Sequence, residues 1–271
     1  MKNKLSIISL TSDFGVQSQG VGIMEGVIAG INPKARVIHL MHGLPDFDIR
    51  SGARTMETVI NLPIGIHVCV VDPGVGTKRL ALIIQTKRGD YLVGPDNGVL
   101  LPATNLLGGI KMVVKITNQK FMRHPVSPIF HGRDIFSPAA AHLSKGVEIK
   151  KFGPTIDPTS LVRAPYSEAT IEENKIVAQV IHINKYGSLH LNILNTQWDK
   201  FSVERNNVVR LSFGNGQKLD VPFVTTFGEA KENAPLILKD DYGRVEVAIN
   251  MENFSFIHKI KIGDTCIIEK I

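Results

Sequence analysis

The stretch Ile66-His-Val-Cys-Val-Val-Asp72-Pro-Gly-Val-Gly-Thr-Lys-Arg79 decides how this chain is read. Its first half is short, apolar and β-branched, the composition of a buried strand, so Asp72 falls where that strand ends. In open α/β sheets ligands bind outside the carboxyl ends of the strands, and Pro73, Gly74 and Gly76 shape a loop that a small molecule can approach closely. Asp72 and Arg79 bracket the loop. The plain structural alternative is a strand-end Asp accepting turn hydrogen bonds, with Arg79 a solvated surface charge.

Upstream, Met1 to Leu10 reads as strand one, followed by Thr11-Ser-Asp13-Phe-Gly15, a second carboxylate at a strand's carboxyl end. Gly20 to Ile31 reads as a helix ended by Asn32 and Pro33. Its glycines miss the dinucleotide spacing by one residue, so a Rossmann cofactor site is weak and close packing on the sheet is the expected reason for them. Arg36 to Met41 is a strand, and Asp46 to Leu62 a helix entered through Pro45 and acidic first-turn residues. The order strand, helix, strand, helix, strand predicts parallel strands with helices on both faces, a doubly wound sheet.

Downstream, Leu80 to Lys87 and Tyr91 to Val93 flank Arg88-Gly-Asp90 as a hairpin extending the sheet. A helix follows at Val99 to Leu107, where Asp96 or Asn97 caps the free amides or touches ligand. Lys111 to Ile116 is a further strand. In Phe130-His-Gly-Arg-Asp134, His131 stands at the mouth of a helix beside Gly132 and is a better functional candidate than His67, His124 or His142. The chain is expected to divide into an α/β domain over 1–160, a linker over 161–173 rich in Pro and polar residues, and a small all-β barrel domain over 174–271 built from short strands separated by Gly, Asn and Asp turns.

At 271 residues, with 43% hydrophobic and 21% charged residues, two ordinary globular domains are expected. The net charge of +6 is mild, and no aromatic-studded basic patch points to nucleic acid. Two cysteines, Cys69 and Cys266, exclude a disulfide framework, and the histidines lack metal-ligand spacing. No run approaches the roughly 18 apolar residues of a spanning helix, so a soluble cytoplasmic protein with no membrane partner is expected.

Taken together, Thr-Ser-Asp13-Phe-Gly, Pro-Asp-Phe47-Asp-Ile-Arg-Ser-Gly-Ala, the Asp72 to Arg79 loop, Gly-Pro-Asp-Asn97-Gly, Phe130-His131-Gly-Arg-Asp, Tyr186-Gly-Ser-Leu, Thr226-Phe-Gly-Glu-Ala and Tyr242-Gly-Arg-Val-Glu resemble one family across nearly the whole chain. The resemblance is to the S-adenosyl-L-methionine hydroxide adenosyltransferases, hydrolytic relatives of the fluorinating and chlorinating enzymes. It implies displacement of methionine by water at the ribose 5′ carbon, giving adenosine and L-methionine without metal or cofactor. It also implies a homotrimer whose sites lie between one subunit's first domain and its neighbour's second. The halogenating branch carries Tyr at the position of Asp72, so Asp72 with Arg79 and His131 favours the hydrolases.

The chemistry suits those residue types independently. A sulfonium departs as a neutral thioether, so the difficulty is to present an oxygen nucleophile in line with the carbon. Bulk water has a pKa of about 15.7, and a carboxylate with a nearby cation can activate it, His131 orienting the water or relaying its proton. Which of Asp72 and His131 takes the proton is open at this level.

By resemblance, Asp13 holds the ribose hydroxyls, with Phe14, Phe47, Phe130 and Gly132 around the sugar and reacting carbon. Phe227, Glu246, Ile249 and Ser188 belong to the adenine side, Asn184, Asp241 and Tyr242 to the methionine end, and Tyr186 is a further substrate-binding candidate. Departures cluster at that end: Ser18 and Asn184 stand where relatives carry Asp to pair with the amino group, and Asp240-Asp241 replaces an Asn-Ser pair. Another 5′-activated adenosine as substrate, or a non-catalytic adenosine-binding role, are the alternatives.

Overall fold

The computed structural model describes residues 7–271, so the first six residues of the expected strand one lie outside it. The chain forms two compact units, Met1–Pro165 and Tyr166–Ile271.

In the first unit β1 (Ile7–Ser12), α1 (Gln19–Ile31), β2 (Arg36–Met41), α2 (Ile49–Glu57) and β3 (Ile66–Val70) alternate as the periodicity predicts. β4 (Ala81–Thr86), β5 (Tyr91–Pro95), α3 (Leu101–Leu106), β6 (Ile110–Lys115) and α4 (Ser137–Ser144) follow. The sheet order is β2-β1-β3-β5-β4-β6. β2, β1, β3 and β5 pair in parallel, and β4 is antiparallel to both its neighbours. Side chains alternate along a strand: Ile8, Leu10, Ile66, Val68 and Val70 join Met24 and Ile28 of α1 and Ala139, Ala140, Ala141 and Leu143 of α4 in one core. α2 and α3 pack together, with Gly52 so close to Val71 and Val99 that a Cβ would stand 3.0 Å from each.

The chain moves from β1 outward to β2 and then returns across β1 to β3. The carboxyl ends of β1 and β3 therefore flank the topological switch point where such sheets bind ligands, and Asp13 and Asp72 follow those two strands.

Three local expectations are corrected. Gly22, Gly26 and Gly30 face open space and do not mediate packing, because Val21, Met24 and Ile28 form the buried face of α1. α2 begins at Ile49 because Phe47 has φ 61°, outside the helical region. Asp48 caps it, accepting from the Ser51 amide at 3.1 Å. α3 begins at Leu101 with no side-chain cap. Asp96 instead accepts from the Val162 amide at 3.0 Å, and Asn97 ties Val71 to Val99 through bonds of 2.8 and 3.2 Å.

The second unit is antiparallel, in the order β11-β10-β14-β8-β9-β13-β12 with β7 paired to β8. The strands are β7 (Thr170–Ile171), β8 (Lys175–Ile183), β9 (Leu189–Leu194), β10 (Val208–Phe213), β11 (Lys218–Pro222), β12 (Pro235–Lys239), β13 (Arg244–Ile249) and β14 (Thr265–Lys270). A bridge from Phe223 to Ile237 brings the two ends of the sheet together in a nearly closed barrel. Its core gathers Ile176, Val180, Leu191, Val209, Val247 and Ile268 around Trp198, Phe201 and Phe254. Those aromatics come from α5 (Asn195–Phe201) and α6 (Phe254–His258), two short helices not anticipated from the sequence. The stretch expected as a linker is ordered: Leu161, Tyr166 and Ala169 are buried and β7 pairs with β8.

Candidate active site

Asp72 lies two residues past β3, and its carboxylate is 5% exposed. Arg79, 10% exposed, returns from the glycine loop and donates Nε to Oδ1 at 2.9 Å and to Oδ2 at 3.1 Å, while Nη2 bonds Oδ2. Nη2 also bonds His131 Nδ1 at 2.7 Å. A guanidinium has no acceptor, so His131 Nδ1 must accept and the neutral ring carries its hydrogen on Nε2. Burial and the Arg79 charge hold the His131 pKa below its ordinary value, more than offsetting the pull of Asp72 and Asp134. His131 is therefore neutral near pH 7 and presents an N–H.

Two loops are locked to build this trio. Gly76 has φ 77°, and a Cβ there would stand 2.4 Å from the Pro128 carbonyl, so the loop after β3 presses on the chain leading to Phe130 and His131. That second segment is clamped by buried Asp134, which accepts from the Ser127 amide at 2.9 Å, from Arg123 at 3.2 Å and from Arg133 at 2.7 Å. Arg133 stacks over the Phe130 ring at 5.1 Å. Gly132 opens a π-helical turn, and a Cβ there would come 3.0 Å from the Met24 sulfur, so the glycine lets this turn sit against α1.

A cavity of about 220 Å³ opens at the switch point, lined by Asp13, Phe14, Asp46, Phe47, Val70, Asp72, Val75, Ile129, Phe130, His131 and Gly132. Phe14 and Phe130 meet edge to face at 5.8 Å. Asp13 Oδ2 accepts from the Phe47 amide at 2.9 Å, fixing the turn whose aromatic side chain is 69% exposed at the rim. Asp46, Val70, Val75 and Ile129 are lining residues that the sequence does not mark as such. Asp46 reads from sequence only as a helix-start carboxylate, and Val70, Val75 and Ile129 are apolar residues with no motif signal. Arg79, expected as the cation partner of Asp72, bonds both Asp72 and His131 and is not among the lining residues. The neighbouring Cys69 thiol is pushed up to about 12, chiefly by burial, and is no nucleophile. No group of three or more His, Cys, Asp or Glu among the described residues could hold a metal ion.

The remaining candidates sit on the second unit, in two turns, on β13 and, for Phe227, in a short 3-10 turn over Phe227–Glu229. Asn184 Oδ1 accepts from the amides of Tyr186 and Ser188 at 3.0 and 3.1 Å, and its Nδ2 lies 3.4 Å from His190 Nε2. His190 Nδ1 bonds buried Asp240 at 2.8 Å, and Asp240 accepts from the amides of Tyr242 and Arg244, each at 2.8 Å. One polar chain thus orders the turns that carry Tyr186, Ser188, Asp241 and Tyr242. His190 and Asp240 as a linking pair were missed, since no local pattern joins residues 50 positions apart. Tyr186, Phe227 and Tyr242 expose 67%, 39% and 43% of their surface, whereas Ser188, Glu246 and Ile249 are buried. Asp241 is exposed. Ser18 caps α1, its Oγ accepting from the Gly20 amide at 3.2 Å.

Comparison with known proteins gives a consistent picture. The model of the SAM hydroxide adenosyltransferase N-terminal domain matches residues 8–153, and that of the C-terminal domain matches residues 178–267. The chain is 38% identical over 248 residues to an (R)-S-adenosyl-L-methionine hydrolase of Salinispora tropica, covering 90% of each chain. It is 33% identical over 260 residues to one of Methanocaldococcus jannaschii, covering 93% of this chain and 91% of that one. A fluorinase of an Actinoplanes species is 23% identical over 291 residues, covering 97% of each. The crystal structure of an uncharacterized conserved protein from Thermotoga maritima superposes with a TM-score of 0.88 at 30% identity, covering 97% of this chain and 100% of that one.

Proposed function

Because the chain belongs to the SAM hydroxide adenosyltransferase family, we infer that it is an enzyme hydrolysing S-adenosyl-L-methionine to adenosine and L-methionine, by attack of water on the ribose 5′ carbon. The observation that carries this reading is the Asp72–Arg79–His131 trio, with Asp72 and His131 on the cavity wall. The polarity of its bonds supports a division of labour. His131 Nδ1 is engaged by Arg79, so Nε2–H is left to orient a water, and the Asp72 carboxylate keeps lone pairs to take that water's proton. Arg79 acts from behind, fixing both groups and offsetting the negative charge that develops on oxygen. The C–S bond breaks as the C–O bond forms, the sulfur electron pair leaving with neutral methionine thioether. The proton passes from Asp72 to solvent.

Asp13 holds the ribose hydroxyls in this reading, and Phe14, Phe47 and Phe130 exclude competing water. The exposed Phe47 and Ile129 at the cavity rim, and the exposed Tyr186, Phe227 and Tyr242 of the second unit, suit a homotrimer in which a neighbour's barrel covers each cavity. Two buried thiols suit a reducing, cytoplasmic setting.

One observation favours a second reading. Ser18 is spent on a helix cap, and Asn184 Oδ1 on two backbone amides. Neither offers a carboxylate to an ammonium group, and the replacement the sequence supplies at that end is Asp241, which is exposed. A 5′-activated adenosine lacking the amino-acid zwitterion is therefore the competing substrate. Incubation with S-adenosyl-L-methionine and, separately, with 5′-substituted adenosines, followed by chromatography of adenosine and the released group, decides between the two. No turnover of any of them would leave an adenosine-binding protein.

A further inference from the structure

A line of hydrogen bonds runs from the surface to the turn that carries Asp13. Glu25 Oε2 on α1 lies 3.2 Å from His39 Nε2, His39 Nδ1 lies 2.9 Å from His42 Nε2, and His42 Nδ1 lies 2.8 Å from Ser12 Oγ. Ser12 Oγ then receives the Phe14 amide at 3.4 Å, and the His42 carbonyl receives the Gly15 amide at 2.7 Å. Ser12 and His42 are buried, while His39 and Glu25 border a second cavity of about 530 Å³ with side chains 39% and 48% exposed. The line thus grips residues 12–15 on both sides of Asp13 and Phe14, and its outer end is open to water.

Its polarity is determined by its ends. A carboxylate can only accept, so neutral His39 donates from Nε2 and accepts at Nδ1. His42 must then donate from Nε2 and accept at Nδ1, and Ser12 donates its hydroxyl hydrogen to His42. If His39 takes up one proton from solvent, its Nδ1 becomes a donor. His42 must then accept at Nε2 and carry its hydrogen on Nδ1, which points at Ser12. Ser12 Oγ then receives two N–H groups, and its own hydrogen must turn away from His42. The titratable groups along the line are Glu25 from α1 and the two imidazoles of β2 and the turn after it, β1 contributing neutral Ser12. Asp13 is the next residue after Ser12. Burial and the neighbouring His39 hold the His42 pKa down, and of the two rings His39 is the one that faces the Glu25 carboxylate and is open to water.

We propose that Ser12 and His42 are positioning residues for the Asp13–Phe14 turn, and that the Glu25–His39–His42–Ser12 line lets the protonation of a surface histidine reset that turn. The inference rests on the nucleoside reading for Asp13, but the line itself can be examined without ligand. Nitrogen chemical shifts of 15N-histidine-labelled full-length protein report which ring nitrogen carries hydrogen. Spectra from pH 9 to pH 5, assigned with His39→Gln and His42→Asn, should show His39 charging while His42 stays neutral and exchanges its hydrogen from Nε2 to Nδ1 in the same transition. A His42 that keeps Nε2–H, or that itself becomes charged first, overturns the relay.

Adenosine titrations over the same range test the coupling. Affinity should fall about two- to tenfold as His39 charges, the worth of one neutral hydrogen bond, and this step should vanish in His39→Gln. A flat wild-type profile, or one that survives in His39→Gln, overturns the positioning role. Absence of adenosine binding at every pH counts against the nucleoside reading, and the tautomer exchange remains the test of the relay.

Discussion

Replacing Arg79 by Met removes the group that holds Asp72 and His131 together, and two separate losses follow. The first is structural. Asp72 is 5% exposed and its carboxylate is met on both oxygens by Arg79, so deleting the cation strands a buried charge, which costs about 3–5 kcal/mol. At about 2–4 °C per kcal/mol for a domain of this size, the melting temperature should fall by about 6–20 °C. The second is catalytic, because neither group is then fixed relative to the attacking water. A misplacement on this scale costs on the order of 10²-fold in kcat.

The pH profile separates the two losses. In the proposed mechanism His131 acts as the neutral ring, so the acid limb should follow the pH at which that ring takes up a proton. Burial and the Arg79 charge both depress the His131 pKa from 6.5, placing the wild-type limb below that value. Arg79→Met removes one of those causes, so the limb should move to higher pH. Arg79→Lys retains the charge but lacks the planar fork, and should lose rate with the limb little moved. Initial rates of adenosine release between pH 4.5 and 9, with thermal unfolding of each variant, supply the measurement. If Arg79→Met keeps kcat/KM within threefold of wild type and its acid limb does not move, the trio is not the catalytic group.

Other expectations follow from the same geometry. Asp72→Asn, which keeps shape but cannot accept a proton, should lower kcat by about 10²- to 10⁴-fold, and in wild-type enzyme run in H₂¹⁸O the label should appear on the adenosine 5′ oxygen by mass spectrometry. Gly76→Ala meets φ 77° and a Pro128 carbonyl 2.4 Å away. The left-handed backbone alone costs about 1–2 kcal/mol, so calorimetry should show a melting temperature lower by at least about 2 °C. With the carboxylate shielded from water by a neighbouring subunit, Asp241→Ala should raise KM for S-adenosyl-L-methionine about tenfold to a hundredfold, the worth of a charge-assisted bond, with adenosine affinity unchanged; equal weakening of both would place Asp241 on the nucleoside.

Much of the first unit was legible because its elements are long enough to show a period. β2 was expected at Arg36–Met41, where it lies, and the strand-end rule placed Asp13 and Asp72 just past the carboxyl ends of β1 and β3, which the strand order makes the switch point. What escaped depends on single backbone angles or distant partners. The start of α2 turns on the positive φ of Phe47, and α5 and α6, with 7 and 5 residues, are too short for a helical period to stand out. Arg79 was expected as the cation beside Asp72, which it bonds, but its second bond, to His131, depends on how the glycine loop folds back, which spacing does not encode. The Asn184–His190–Asp240 chain joins three strand ends and has no sequence signature.

The two cysteines give the molecule a pair of internal clocks. Cys69 lies in β3 of the first unit and Cys266 in β14 of the second, both wholly buried, with burial pushing both thiols well above their ordinary range. Neither can react with an alkylating reagent until its strand separates from its neighbours, so the alkylation rate at each thiol counts openings of its own unit. A peptide map taken over a time course of iodoacetamide exposure would yield two opening free energies from one sample of unaltered protein. It would tell whether the sheet and the barrel come apart together or in turn.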